Sequence, residues 1–294
     1  MIDLHAHSTF SDGSLTPEEL VALARRRGLT ALALTDHDST GGIGRFLEAC
    51  SRSAAEGYRG GAGLTGIPGV EISVDVARGT LHLLGYFVDP ANADLETMLG
   101  RIRDGRHYRN QQILSKLNDL GLALTWDEVA SYAGEEVVGR PHFAQAMHAR
   151  KYVASKEEAF DRYLAKGKPA YFDRFRLPPA DALAVLLRAG GVPALAHPFT
   201  LDLARPALRR YVGELRDVGL QGIEVFYSEH SSEQITEYLA LAREFDLAVT
   251  GGSDFHGEMN PKIELGTGFG SLRVADELAD ALRARARRLA VAPA

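Results

Sequence analysis

The chain of 294 residues has a single cysteine, Cys50, and contains no long apolar run. One thiol cannot close an intramolecular disulfide or build a thiolate zinc site, which favours a reducing compartment. A membrane-spanning helix needs about 18 consecutive apolar residues, and no window approaches that length. The first residues, MIDLHAHST, show neither the basic nor the apolar region of a secretion signal. We therefore expect a cytoplasmic protein without a membrane contact.

The charge of the chain argues against duplex nucleic acid as a partner and favours an anionic substrate. The formal net charge is −6, with 45% hydrophobic and 24% charged residues, so duplex nucleic acid is not an expected partner. Residues 101–176 depart from this average, with 14 Lys and Arg against 10 Asp and Glu, which leaves −10 on the rest of the chain. A basic segment beside an acidic remainder favours an anionic substrate held by that segment. A mildly basic helical surface without a ligand is the alternative.

Short apolar runs alternate with amphipathic stretches along most of the chain. The predicted strands are 2–6, 30–35, 67–73, 80–87, 192–196, 222–226 and 247–251. Strand–helix alternation predicts βαβ units and a parallel sheet, and the length fits one α/β barrel. Residues 95–190 have no good strand and are too many for a simple crossover, so they are predicted as an inserted helical subdomain. The predicted barrel comprises residues 1–94 and 191–294.

Histidine and carboxylate side chains recur where the predicted strands end. They occur in DLHAHSTFSDG (3–13), LTDHD (34–38), PGVEIS (68–73), LAHP (195–198) and GGSDFH (251–256). Barrel enzymes place their chemistry at the carboxyl ends of strands, and imidazole and carboxylate groups are ligands of divalent metal ions. These motifs predict a multinuclear metallohydrolase. Its candidate ligands are His5, His7, Asp12, His37, Glu71, His197, Asp254 and His256.

Each motif also has an ordinary structural explanation. His5 and His7 are two residues apart, so a strand would point both to one face, but a lone His-x-His is weak support for a metal. Asp12 lies in a turn sequence, and His37 is compatible with a packed histidine. Glu71 is more informative because it is a lone carboxylate in an apolar strand. Such a group requires a cation or a strong hydrogen-bonding partner, and a buried salt bridge is the main competitor.

Two more histidines compete for a place beside Glu71. His142, in GRPHFA, lies in the predicted insert, and His82, in TLHLLGYF, lies on the fourth predicted strand. We favour His142 as the ligand and treat His82 as the alternative. His230, in YSEHS, is a candidate for substrate contact rather than for metal binding.

Together these motifs resemble the polymerase-and-histidinol-phosphatase (PHP) family, and the resemblance extends over nearly the whole chain. It implies a distorted seven-stranded (β/α)7 barrel with a helical insert and three divalent ions, most often Mn²⁺, with Fe²⁺ or Zn²⁺ in some members. It assigns His5, His7, Glu71 and Asp254 to the first ion; Glu71, His197 and His142 to the second; and Asp12, His37 and His256 to the third. Histidine often replaces Asp12 in the histidinol-phosphate branch, which weakens that single assignment.

The insert motifs GRPHFA and RYLAKGKPAYF are similar to the subgroup that removes the 3′-phosphate from nucleoside 3′,5′-bisphosphates. The alternatives are 5′-to-3′ trimming of short RNA, hydrolysis of histidinol phosphate and a noncatalytic metal-binding scaffold. The expected mechanism is attack on phosphorus by a hydroxide between two ions that Glu71 bridges. Asp254 or His256, or a bound water, would supply the proton that the leaving oxygen needs.

The insert supplies the expected substrate contacts. Arg140, Lys168 and Arg174 are the candidates for holding the phosphate that does not react, with a solvated basic surface as the alternative. Tyr171 is the aromatic candidate for stacking on a base, together with Phe172 and Phe175, and core packing is the alternative for these rings. The sequence gives no prediction of the oligomeric state.

Overall fold

The computed structural model describes residues 1–52 and 63–291, and its strands form one sheet that curls into a nearly closed barrel. The strands are β1 (Ile2–Asp3), β2 (Ala31–Leu34), β3 (Thr65–Val74), β4 (Leu81–Tyr86), β5 (Val192–Leu195), β6 (Gly222–Tyr227) and β7 (Ala248–Gly252). They neighbour one another in chain order. The Leu4 amide donates to the Gly251 carbonyl at 3.1 Å, which joins the chain after β1 to β7. The predicted seven-stranded α/β barrel is confirmed; residues 53–62 and 292–294 of its predicted ranges lie outside the described residues.

One strand contradicts the predicted all-parallel sheet. β4 runs antiparallel to both β3 and β5, whereas the other neighbouring strands are parallel. Only residues 75–80 connect β3 to β4, and so short a connection forms a hairpin but cannot make a parallel crossover. The reversal pairs Ser73 with His82 across the two strands, so the start of β4 meets the end of β3 at one rim of the barrel.

Helices cover the outside of the barrel and one of its ends. In the described residues they are α1 (Pro17–Arg26), α2 (Ile43–Ser51), α3 (Ala93–Asp119), α4 (Trp126–Ala130), α5 (Arg140–Ala149), α6 (Lys156–Ala159), α7 (Pro179–Arg188), α8 (Arg205–Asp217), α9 (Ser232–Glu244) and α10 (Glu277–Val291). Thr16 caps α1 in a capping box with Glu19, as the TPEEL sequence predicts. None of the helices in this part of the chain has the length and apolar character that a membrane crossing requires.

Helix α3 connects the barrel with the helices that follow it. Leu99 and Ile102, in its first half, pack in the main barrel core. Ile113 and Leu117, in its second half, pack in a separate cluster with residues of α4 to α6 and the chain up to Ala170. Because the two clusters are distinct, the middle of α3 spans the space between the barrel rim and these helices.

Candidate metal centre and adjoining cavity

The strand ends bring histidine and carboxylate side chains together at one rim of the barrel. His5 and His7 follow β1, His37 follows β2, and Asp254 follows β7. Backbone contacts fix these loops to each other. The Asp254 amide donates to the His5 carbonyl at 2.8 Å, and His37 forms a β-bridge with Glu71. The closure of the barrel therefore sets the distances between the predicted ligands.

Glu71 lies in the middle of this cluster and is fully buried. Its Oε1 lies 2.7 Å from His82 Nδ1 and 3.1 Å from His197 Nε2. Its Oε2 lies 3.0 Å from His37 Nδ1 and 3.3 Å from Nε2 of both His5 and His7. Ligand atoms at about 2.0–2.2 Å from a shared ion are themselves about 3.0–3.5 Å apart. Most of these separations therefore suit ligands that converge on a common ion, and both oxygens of Glu71 take part in the cluster.

The potential ligands form three overlapping groups whose donor atoms lie within 4.8 Å of one another. The groups are His5, His7, Glu71 and Asp254; His7, Asp12, His37 and His256; and His37, Glu71 and His82. Between them they include every ligand predicted from the sequence except His197 and His142. His197 lies 3.1 Å from Glu71 on its own, whereas His142 belongs to none of these groups.

Several donor atoms in these groups are buried without a hydrogen bond. They are Nε2 of His5, Nε2 of His7, Nδ1 of His37, Oδ1 of Asp12, Oε2 of Glu71 and Oδ1 of Asp254. Buried polar atoms are nearly always paired, and leaving one unpaired costs about 1–3 kcal/mol. These imidazole nitrogens and carboxylate oxygens all lack hydrogen-bond partners and point at one another. Such a set of atoms is well suited to ligating divalent cations.

The charges of the cluster support the same conclusion. Burial alone would raise the pKa of Glu71, but His37, His82 and His5 hold it well below its usual value. Burial likewise opposes ionisation of Asp254, whose pKa the neighbouring histidines, chiefly His5, hold well below the ordinary range. The carboxylates therefore stay ionised at neutral pH, as metal ligands must.

The position of His142 does not support the sequence-based preference for it as the second ligand beside Glu71. His142 is buried at the start of α5, and its Nδ1 accepts a hydrogen bond from the Gly139 amide at 2.9 Å, which caps the helix. His82 instead lies 2.7 Å from Glu71. The antiparallel direction of β4 explains the difference, because it brings the start of that strand, with His82, to the ligand rim.

A buried carboxylate and a tyrosine hydroxyl, both on β6, hold several of the ligands in place. Glu224, on β6, lies 2.9 Å from His5 Nδ1 and accepts the His197 amide at 2.7 Å. Tyr227, at the end of the same strand, donates its hydroxyl to Asp254 Oδ2 at 2.8 Å. Such contacts fix ring orientation and leave the opposite atom of each ligand free for an ion. The sequence GIEVFY contains one carboxylate in an apolar strand, the same pattern that identified Glu71.

Backbone strain is concentrated at the same rim. His197, Asp254 and Asp38 have φ values of 25°, 58° and 53°, in the left-handed region that residues other than glycine seldom adopt. Each such residue costs about 1–3 kcal/mol and persists where surrounding contacts enforce it. Three strained residues beside the ligand groups mark the rim as a functional site.

A cavity of about 420 Å³ opens from the ligand groups towards the inserted helices. Asp12, His37 and His82 line one part of it. The cations in its lining are Arg106, Arg109, Arg140, Lys166, Arg174 and Arg176, and its other carboxylates are Asp75 and Asp173. Six cations against three carboxylates make the cavity suitable for an anion that reaches the ligand groups.

Arg109 is the most unusual of these cations. It is only 3% exposed, and its Nη2 has no hydrogen-bond partner. Burial, followed by repulsion from neighbouring guanidinium groups, lowers the pKa of Arg109 to about 9. A buried guanidinium without a counterion is costly, so an anion that enters the cavity would relieve that cost.

The predicted substrate contacts divide into two groups. Arg140, Tyr171 and Arg174 line the cavity, and the Arg140 guanidinium lies 5.5 Å from the centre of the Tyr171 ring. Lys168 does not line it: Lys168 is exposed, and Lys166 takes the place expected for it because the chain turns between them at Gly167.

His230 also lies away from the cavity lining, contrary to the prediction of a substrate contact. Its Nδ1 donates to the Val225 carbonyl at 2.8 Å, and its ring packs against Phe199, Tyr227 and Tyr238. Among the two other predicted aromatic rings, Phe172 packs against the core of the inserted helices, and Phe175 is 39% exposed.

Arg106 and Arg109 were not predicted from the sequence, although α3 contains a sign of them. Leu99, Ile102 and Ile113 mark the buried face of the helix, and positions 106 and 109 continue that face at helical spacing. A cation on an apolar face is buried at a cost unless it serves a site. That interruption of the apolar pattern is the feature that identifies both arginines.

Comparison with known proteins agrees with this geometry. The family model described as "PHP domain" matches residues 3–164. A 3′,5′-nucleoside bisphosphate phosphatase of Chromobacterium violaceum is 36% identical over 87% of this chain and 87% of its own length. The 5′-3′ exoribonuclease Rnm of Salmonella typhimurium is 35% identical over 90% of this chain and 87% of its own. An amidohydrolase structure from C. violaceum, with bound sulfate and no metal, has a TM-score of 0.82 and 34% identity, covering 97% of this chain and 96% of that one.

Proposed function

The chain belongs to the PHP domain family of metal-dependent phosphoesterases, and on that basis we propose that it removes the 3′-phosphate from nucleoside 3′,5′-bisphosphates to give 5′-nucleotides. The observation that carries the proposal is the buried guanidinium of Arg109 in the cavity that opens from the ligand groups, because its Nη2 has no hydrogen-bond partner. A substrate with two phosphates would meet the ligand groups with one and Arg109 with the other.

The charge of the cavity also separates this substrate from histidinol phosphate. A single phosphate at the ligand groups would leave Arg109 without a counterion. The amine of histidinol phosphate would enter a lining with six cations and three carboxylates, and Asp173 already pairs with Arg176. A second phosphate avoids both costs, because Arg109 and Arg140 can donate charge-assisted hydrogen bonds to it.

The proposed metal ligands are His5, His7, Asp12, His37, Glu71, His82, His197, Asp254 and His256. When bound, divalent ions such as Mn²⁺ lower the pKa of a water towards about 7 and bring positive charge to the phosphate. Glu71 would hold metal through both of its carboxylate oxygens. Tyr227 holds Asp254 Oδ2, which leaves Oδ1 directed at His5 and His7. Asp254 or His256 would pass a proton to the leaving ribose oxygen.

Removal of nucleotides from the 5′ end of short RNA is the second candidate function. The identity to the Salmonella exoribonuclease supports it, and so does Phe175. This exposed ring has the Arg101 guanidinium 5.0 Å from its centre and stands in sequence between two arginines of the cavity lining. A basic surface with an exposed ring is suited to stacking of an additional base.

A substrate panel tests the proposal. After reconstitution with Mn²⁺, kcat/KM for phosphate release from adenosine 3′,5′-bisphosphate is expected to exceed that for 3′-AMP by about tenfold or more, because only the bisphosphate satisfies Arg109. Chromatography should show 5′-AMP as the product. Preference for histidinol phosphate or a short 5′-phosphorylated RNA would overturn the substrate assignment, and release from none of them would favour a scaffold.

Substitution of Arg109 tests the observation on which the proposal rests. Arg109→Met keeps much of the side-chain volume but removes the charge, so KM for the bisphosphate is expected to rise by about 10- to 100-fold. The KM for 3′-AMP should change little. Arg101→Met, at the exposed surface, is the matched control. Equal losses with both substrates would contradict a role of Arg109 in binding the second phosphate.

A further inference from the structure

Asp38 is a buried carboxylate between the metal-ligand rim and the inserted helices, and it is not among the proposed metal ligands. It follows His37 directly, its side chain is completely buried, and its φ is 53°. Aspartate adopts this left-handed conformation more readily than most residues, because its short polar side chain bonds locally. Here the conformation turns the carboxylate away from the strand direction and towards α3.

The backbone of Asp38 is tied to β3. Its amide donates to the Glu71 carbonyl at 2.8 Å, and its Oδ1 accepts the Ser73 amide at 2.9 Å. β2 ends at Leu34, so Asp38 continues the pairing with β3 beyond that strand. The position of its carboxylate is thereby fixed relative to Glu71.

The other carboxylate oxygen faces the insert. Asp38 Oδ2 accepts Arg106 Nε at 2.7 Å and a second bond from Arg106 Nη2. Arg174 Nη2 lies 3.5 Å from the same oxygen. The Asp38 carbonyl accepts Arg103 Nη1 at 3.1 Å. One residue thus contacts arginines from α3 and from the loop before Leu177.

Both of the arginines on Oδ2 line the cavity, as do His37 and His82. Arg106 and Arg174 are 11% and 5% exposed in their side chains, so they lie inside the protein rather than at its surface. Two guanidinium groups with one carboxylate retain a net positive charge. That charge faces the part of the cavity where the ligand groups lie.

We propose that Asp38 is a positioning residue, whose carboxylate holds Arg106 and Arg174 in place to bind the phosphate that occupies the metal-ligand end of the cavity. This role rests on the proposed phosphohydrolase function but not on the identity of the rest of the substrate. Without the carboxylate, the two guanidinium groups repel each other and lose their fixed orientation. The guanidinium groups of Arg106 and Arg174 would then no longer lie at a fixed distance from Glu71.

Asp38→Asn tests the role, because asparagine has nearly the same shape and can still accept the Ser73 amide. We expect the Mn²⁺-reconstituted variant to keep its metal content but to bind inorganic phosphate about tenfold more weakly, since Arg106 and Arg174 lose their anchor. KM for the bisphosphate should rise in parallel with the dissociation constant for inorganic phosphate. Titration calorimetry with inorganic phosphate measures the first effect without turnover, and elemental analysis measures the metal.

Glu136→Gln is the matched control. Glu136 is also a carboxylate between the insert and this loop, but it contacts Arg103 and the Ser39 hydroxyl rather than the two cavity arginines. Its substitution should leave phosphate affinity unchanged. Should Asp38→Asn fail to fold, Arg106→Lys provides a second variant, since lysine keeps the charge but cannot make the two-nitrogen contact.

A double-substitution cycle separates positioning from general destabilisation. Arg106→Lys is expected to weaken phosphate binding less in the Asp38→Asn background than in the wild type, because the anchor is already absent. Additive losses, unchanged phosphate affinity in Asp38→Asn, or loss of metal from that variant would each overturn the proposal. A wild-type protein that binds phosphate but does not hydrolyse the bisphosphate would contradict the proposed function and leave the role of Asp38 standing.

Discussion

Replacement of Glu71 by glutamine is expected to remove most of the bound metal and to lower kcat/KM by about 10³-fold or more, equivalent to about 4 kcal/mol. Five imidazole nitrogens lie within 3.3 Å of its two oxygens. The amide offers one neutral oxygen, and its NH₂ group would point at nitrogens that must accept an ion. Elemental analysis after exhaustive dialysis and phosphate-release kinetics measure the two effects.

A variant far from the site controls for metal and activity that are lost during dialysis rather than through the substitution. Glu264→Gln removes an exposed carboxylate that pairs with Arg27 at 2.9 Å, so its metal content and turnover should match the wild type. The melting temperature of the metal-free proteins shows whether the Glu71 variant is folded. Full metal content with normal turnover in Glu71→Gln would refute the bridging role.

The sequence predicted that candidate ligands which immediately follow strands, or lie within them, converge at one rim, and the structure brings these side chains together. His5, His7, His37 and Asp254 are close to a strand that the apolar pattern identifies, and barrel geometry directs strand ends to one rim. Glu71 was identifiable because a lone carboxylate in an apolar strand requires a partner. Local pattern was sufficient in these cases because the contact partners are determined by the closure of the barrel.

The direction of β4 and the placement of His142 depend on longer-range structure. A parallel sheet was the expectation from strand–helix alternation, and the short hairpin between β3 and β4 overrides it. His142 lies in a motif near the predicted site, yet its ring caps α5 through Gly139. The role of a residue near the site does not follow from motif order when a 27-residue helix, α3, sets how the insert lies over the barrel.

The cations of the cavity were the least predictable part of the site. Arg140 and Arg174 were identified from local charge. The lysine in the cavity lining, however, is Lys166 rather than the predicted Lys168, two positions further along the chain. Which face of a short, polar loop points inwards depends on the turn at Gly167, whose φ is 84°. Charge composition therefore predicted that the insert binds an anion, but the particular side chains required the fold.

His82→Ala is expected to lose roughly one metal ion per chain and to lower kcat/KM by about 100-fold. Its Nδ1 is 2.7 Å from Glu71 Oε1, and with His37 and Glu71 it forms one of the groups of three potential ligands in the described residues. Alanine leaves that group with two ligand atoms, and His197, which lies 3.1 Å from Glu71 Oε1, would not restore the lost imidazole.

His142→Ala provides the contrasting measurement. Its Nδ1 caps α5, so the substitution should lower the melting temperature by a few degrees, corresponding to about 1 kcal/mol, while the metal content stays at the wild-type value. We therefore expect the two histidines to exchange the roles that the sequence alone favoured for them. Loss of metal from His142→Ala with retention in His82→Ala would restore the sequence-based assignment, and it would require α5 to shift so that His142 reaches Glu71 when metal is bound.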